Sequence, residues 1–211
     1  KFMEEAIENQ VLPLDDRLLE RLVPSVAGRP TLLGDRTSMD LYPYAWNMVE
    51  DSILNVKNVS NSVTAFVDVK GGDEDGVIFS QGGRFGGWSL YVENKKPTYT
   101  YNYMGELFTF TSNKPLPSGK SEIRFELDYD GGGTGKGADV RLKLNGDVVA
   151  EGRLEKTIAS RFSIDEGADV GLDRGSAVTI QSVGPRRYSA YGGQIDKVTL
   201  EIYPKPSDAK S

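Results

Sequence analysis

Four stretches of this chain alternate apolar and polar residues with a period of two, and that pattern limits the fold more than any other feature. In VTAFVDVK, Val63, Ala65, Val67 and Val69 share one side. In SEIRFELDYD, Ile123, Phe125, Leu127 and Tyr129 face one way, while Glu122, Arg124, Glu126 and Asp128 face the other. VRLKLNG sets Val140, Leu142 and Leu144 against Arg141 and Lys143, and DKVTLEIY sets Val198, Leu200 and Ile202 against Lys197, Thr199 and Glu201. A helix cannot gather residues i, i+2 and i+4 on one face, but a pleated strand does so automatically. One dry face and one wet face per strand is the habit of antiparallel sheets.

Turn signals separate the strands: KGGDEDG at 70–76, ENKKP at 93–97, LPSGK at 116–120 and LNGD at 144–147. Asn145-Gly146 between two alternating runs predicts a type I′ hairpin. About ten short strands at this spacing predict an all-β fold, a two-sheet antiparallel β-sandwich over residues 41–204. Ahead of it, residues 1–40 read as a helical leader and linker. Phe2, Ala6 and Ile7 share a face, and a second helical piece near LDDRLLERLV carries Leu14, Leu18, Leu19 and Leu22. Asp15 or Asp16 can cap that piece, Pro24 ends it, and residues 24–40 form a Pro/Gly/Asp-rich connector. The tail, 205–211, reads as frayed. The chain begins without Met, in what reads as mid-helix, so an upstream part is expected to be missing.

Composition removes whole classes of chemistry. There is no Cys, which excludes disulfides, thiolate metal sites and cysteine nucleophiles, and no His, which excludes Ser-His-Asp catalysis and HExxH zinc sites. The net charge of −6 argues against a nucleic-acid partner, since phosphate binding needs a basic surface. No apolar run reaches the ~18–20 residues needed to span a bilayer, so no membrane is expected. Neither property fixes a compartment.

Three motifs invite ligands. DGGGTGKGADV, 130–140, lacks the order of a phosphate loop and is followed by a strand, not the helix such a loop requires, so it reads as an inter-strand loop. GGDEDG, 71–76, clusters Asp73, Glu74 and Asp75; Asp73 and Asp75 are weak metal candidates, and a solvated acidic turn is the plainer reading. SQGGRFGGWSLYV, 80–92, brackets Arg84 with glycines and leads into an aromatic strand, after which PTYTYNY comes. Arg84, Trp88, Tyr91, Tyr99, Tyr101 and Tyr103 could form a glycan-binding face, aromatic rings stacking on sugar and Arg84 meeting a sulfate. The competing reading puts the alternate tyrosines in the sheet core.

The blocks DGVIFSQGGRFGGWSLYVENKKPTYTYNYMG, LPSGKSEIRFELDYDGGGTGKGADVRLKLNGDVVAEGRLEKT, RFSIDEGADVGLDRG and GGQIDKVTLEI closely resemble the C-terminal region of a large bacterial arylsulfatase group. EEAIENQVLPLDDR and AGRPTLLGDRTSMDLYP resemble the exit from such a catalytic domain. The strand order also resembles laminin-G/concanavalin-like jelly-roll sandwiches. The sulfatase resemblance implies a formylglycine and Ca²⁺ in the upstream domain, with His and Lys around the sulfate. None of that transfers: no Cys, no His and no S-x-P-x-R occurs here, so no catalytic residue and no cofactor is expected in this chain. The resemblance instead implies an accessory sandwich packed in cis on a sulfatase catalytic domain, shaping its cleft or oligomer contacts. The alternative is a carbohydrate-binding module for sulfated or neutral glycans. A third reading, a glycoside-active enzyme, would need paired acids such as Glu126 and Asp128 in a cleft.

Overall fold

The computed structural model describes residues 1–12, 32–71, 74–180 and 190–205. The chain divides into two units, Lys1–Thr31 and Leu32–Ser211. The first contains helix α1 (Phe2–Glu8), opened by Glu4 and Glu5 in its first turn, where negative charge complements the exposed amides. The predicted second helical piece, with Leu14, Leu18, Leu19 and Leu22, lies outside the described residues.

The second unit is a β-sandwich. In chain order its strands are β1 (Ser38–Leu41), β2 (Ser60–Val69), β3 (Gly76–Gly83), β4 (Gly86–Glu93), β5 (Lys96–Tyr103), β6 (Glu106–Thr111), β7 (Gly119–Tyr129), β8 (Ala138–Leu144), β9 (Asp147–Leu154), β10 (Ala168–Val170) and β11 (Gln194–Tyr203). One sheet runs β1-β11-β2-β7-β8-β9 and the other β10-β3-β4-β5-β6. All strand pairs are antiparallel. Composition reads residues up to 40 as linker, but Ser38–Asp40 already pair with β11.

In β7 and β8 the alternation read from sequence is the alternation of burial, whereas in β2 the outward-side Thr64 is buried too. In β7, Ile123, Phe125, Leu127 and Tyr129 are buried, while Arg124, Glu126 and Asp128 are not. Asn145-Gly146 forms the expected hairpin, with φ of 50° and 89°. Asn94-Lys95 and Met104-Gly105 make the same two-positive-φ turn, whose twist matches that of the strands it joins.

The wet face of the six-stranded sheet carries a charge lattice. Glu126 accepts hydrogen bonds from Arg124, Arg141 and Lys143 at 3.0, 3.3 and 2.9 Å. Partial burial alone would raise its pKa, but these three partners hold it down at about 2. A carboxyl so firmly ionised cannot act as a general acid, which leaves Glu126 only the role of the ionised partner in the glycosidase reading.

The core is aromatic at its centre. Phe79, Trp88, Tyr99 and Phe125 form a continuous run: Phe79–Trp88 centroids at 5.0 Å, Trp88–Tyr99 at 5.7 Å, and Tyr99 stacked on Phe125 of the opposite sheet at 3.4 Å. Such contacts add to the area term of burial.

Candidate functional site

The sequence-predicted aromatic face is mostly inside the protein. Trp88, Tyr99 and Tyr101 are 2–3% exposed. Trp88 donates its indole N–H to Gln81 at 3.1 Å, and the Tyr101 hydroxyl accepts from the Ile158 amide at 2.8 Å. The hollow they line with Lys57, Asn58 and Tyr129 measures about 10 Å³, which is room for about one water and no sugar. Tyr91 points to the other face of its sheet, yet it too is buried, against Val77 and Ala177. A ring closed off in this way cannot stack on a glycan, so the glycan-face reading is corrected for these four residues. Tyr103 is half-buried, with the Lys156 ammonium 4.5 Å from its ring centre. Arg84 is exposed at a hairpin tip beside Phe85, apart from the buried row.

The glycines around Arg84 serve packing. Gly82 and Gly87 face one another across β3 and β4. A Cβ on Gly82, whose φ is +80°, would stand 2.3 Å from the Gly86 carbonyl oxygen. On Gly87 it would stand 2.3 Å from the Gln81 carbonyl oxygen. The missing side chains let the segment around Phe162 cross directly over the ladder. Gly82→Ala is therefore expected to cost about 3 kcal/mol or more, from strain at positive φ plus a backbone clash. Urea unfolding checks this, and a loss below about 1 kcal/mol would mean that the backbone has room to yield.

Asp75, one of the weak metal candidates, is engaged with the main chain: its two oxygens accept the Asn94 and Lys95 amides at 2.7 and 2.9 Å. Asp73 lies outside the described residues. Among the described residues no cluster of three acidic side chains is arranged to hold a metal ion.

Among the described residues, an exposed aromatic cluster lies elsewhere, in the loop after β1. Tyr42, Tyr44 and Trp46 are 57%, 81% and 42% exposed. Tyr44 and Trp46 meet edge to face, with centroids 5.7 Å apart and planes at 70°. The loop is pinned along β10. Met48 exchanges two backbone hydrogen bonds with Ala168, at 3.0 and 2.8 Å, and the Val170 amide donates to the Ala45 carbonyl at 2.9 Å. The Trp46 indole N–H donates to the Val170 carbonyl at 3.0 Å, fixing the ring in place. Tyr44 sits at φ +72°, a region bulky residues rarely occupy and one that gathers at binding sites. Large rings held half out of the surface cost hydrophobic free energy, so this strained loop exposes them against their own solvation preference.

A second segment completes the ledge. Arg174 is exposed, its guanidinium 5.9 Å from the Trp46 ring centre. Asp169 ties the two segments together, accepting the Asn47 amide at 2.6 Å through one oxygen and the Arg174 amide at 2.9 Å through the other. Glu166 accepts the Ser176 amide and hydroxyl, both at 2.9 Å. Asp173 accepts the Val178 amide at 2.9 Å. Three carboxylates thus shape the Asp173–Val178 turn by accepting its amides. Asp173 is 1% exposed, and its second oxygen accepts no hydrogen bond among the described residues. Burial first, and then the charges of Asp169 and Glu166, push its pKa up to about 7.

Sequence reasoning passed over Tyr42, Tyr44, Trp46 and Arg174. The available signal was YPYAW itself: three large rings in five residues, in no strand that could bury them.

No family model matches the chain, and no curated protein does. Among solved structures, the K499G mutant of NanB sialidase from Streptococcus pneumoniae superposes with a TM-score of 0.52 at 12% identity, covering 82% of this chain and 28% of that one. NanB in complex with 2-[(3-chlorobenzyl)ammonio]ethanesulfonate gives 0.51 at 11% identity, covering 79% and 27%. Mouse laminin alpha1 chain domains LG4-5 give 0.45 at 10% identity, covering 81% and 40%. The chain spans well under half the length of these structures. What it shares with the sialidase chain is the fold, a two-sheet antiparallel β-sandwich.

Proposed function

We propose that this chain is a non-catalytic carbohydrate-binding sandwich, and that its binding surface is the ledge of Tyr44 and Trp46. The exposed, edge-to-face pair carries the reading. Its loop is locked to β10 by backbone and indole hydrogen bonds, so little ordering is needed when a ligand arrives. A sugar ring offers an apolar face that aromatic rings cover well. The sandwich fold, common to many functions, fixes only the scaffold. Trp46→Ala is expected to weaken polysaccharide binding at least about tenfold, since such a ring is an anchor residue by chemistry. Titration calorimetry against a panel of soluble polysaccharides checks it, with the melting temperature confirming that the variant is folded. A variant that binds every polymer as the parent does would overturn the reading.

The finer proposal keeps the sulfatase resemblance: the module would serve an upstream arylsulfatase catalytic domain, packing on it in cis and holding its polymer nearby. The ordered sequence blocks support that reading. The absence of His, Cys and a formylglycine motif leaves the chain no sulfatase machinery of its own. Expressed alone, it is expected to hydrolyse no aryl sulfate ester.

A further inference from the structure

The ledge has a cationic wall as well as an aromatic one. Arg174 makes no ion pair among the described residues, although Glu166, Asp169 and Asp173 all lie in or beside its own turn. Each of those carboxylates accepts main-chain amides of that turn: Asp169 from Arg174, Glu166 from Ser176 and Asp173 from Val178. Asp169 and Asp173 are also buried, at 5% and 1% exposure. The guanidinium therefore stands over the indole with no anion among the described residues to receive its fork of N–H donors. Arginine combines an aromatic-stacking plane with bidentate donation to carboxylate or sulfate, which lysine does not.

We propose, resting on the carbohydrate-binding reading above, that the ledge selects an anionic sugar unit, whose ring lies against Tyr44 and Trp46 and whose carboxylate or sulfate takes the Arg174 guanidinium. Asp169 is the positioning residue, because its two oxygens set the aromatic loop and the arginine turn in register. The overall charge of −6 gives polyanions no general attraction to this protein. Selectivity must then come from one local contact, and binding should fall only gently with salt, unlike the steep loss when many charges are paired.

The test is calorimetric titration of the whole chain with dextran, dextran sulfate and polygalacturonate at fixed ionic strength, for the parent protein, Arg174→Gln and Trp46→Ala. The parent is expected to bind at least one of the two charged polymers about tenfold or more tighter than dextran, the scale of a hydrogen bond to a charged group. Which charged polymer wins identifies the oxyanion. Arg174→Gln, at an exposed position, is expected to erase that preference, so that the charged polymers bind no tighter than dextran. A preference that survives Arg174→Gln, or equal binding of dextran by the parent, overturns the anionic selectivity and leaves the carbohydrate-binding reading standing. Failure of the parent to bind any polymer, charged or neutral, overturns both.

Discussion

Replacing Glu50 by Gln is expected to cost about 3–5 kcal/mol of folding stability, the usual result of leaving a buried charge without its partner. Glu50 and Lys57 form an ion pair whose side chains are 7% and 5% exposed. Glu50 also accepts the Phe162 amide at 3.0 Å, and Lys57 lies over the Phe162 ring, 5.0 Å from its centre. Burial holds the Lys57 ammonium below the ordinary lysine range, and the Glu50 carboxylate only partly offsets that. Gln keeps an oxygen for the Phe162 amide, so the substitution isolates the lost charge. The double variant Glu50→Gln/Lys57→Met should recover much of the loss, since it removes the stranded ammonium. Urea unfolding near neutral pH reads both. A loss under about 1 kcal/mol for the single variant is what a solvated surface pair would give, and it would contradict the burial.

The second large effect is a dependence on pH. Asp173 is buried and favours its protonated form in the folded chain, with a pKa of about 7 against 3.8 when exposed. A carboxyl raised in this way contributes stability that is fully present below its unfolded pKa and lost as pH rises through its folded one. The protein is therefore expected to weaken by a few kcal/mol between about pH 5 and pH 8. Asp173→Asn, which keeps an acceptor for the Val178 amide, should flatten that slope and be the more stable protein at the alkaline end. Thermal or urea unfolding across the range settles it; a parent whose stability is level from pH 5 to 8 would mean that Asp173 is solvated. Below about pH 4 the trend reverses, because Glu126, Asp128, Asp130 and Glu201 all have lowered pKa values and lose their ion pairs on protonation.

Strand alternation was legible wherever one sheet face is wet. Ile123, Phe125 and Leu127 separate cleanly from Arg124, Glu126 and Asp128 because the outer face of the six-stranded sheet meets solvent. In the five-stranded sheet the same rule loses its power. Tyr99 and Tyr101 are 3% exposed, yet Thr98 and Thr100 on the opposite face are fully buried. There the Tyr91 hydroxyl reaches Thr100 at 3.1 Å, and Asn102 donates to the Val178 carbonyl at 2.8 Å. With both faces covered, parity shows that the tyrosines share a side but not that this side is the core. The Met104-Gly105 turn was also missed, because Met carries none of the Asn or Asp preference that marks such turns.

The ledge escaped notice for a different reason. Its two halves lie more than a hundred residues apart, and their proximity depends on Asp169, which no local pattern picks out. From sequence, Tyr42 falls in a block that resembles the exit from a catalytic domain, and Arg174 falls in RFSIDEGADVGLDRG, a block that carries only a family resemblance. The pairing of the Met48 loop with β10, together with Asp169, brings them together.

The chain holds two tryptophans, and they report on the two competing surfaces separately. Trp46, on the ledge, is 42% exposed and Trp88, in the core, is 2% exposed. Acrylamide quenching of Trp88→Phe and Trp46→Phe, each with and without a saturating bound polysaccharide, isolates one ring at a time. The ledge account predicts that Trp46 is strongly quenched in the free protein and shielded when the glycan binds, while Trp88 is poorly quenched in either state. Shielding or a spectral shift confined to Trp88, with Trp46 unchanged, would contradict it and return the binding surface to the aromatic row of β4 and β5.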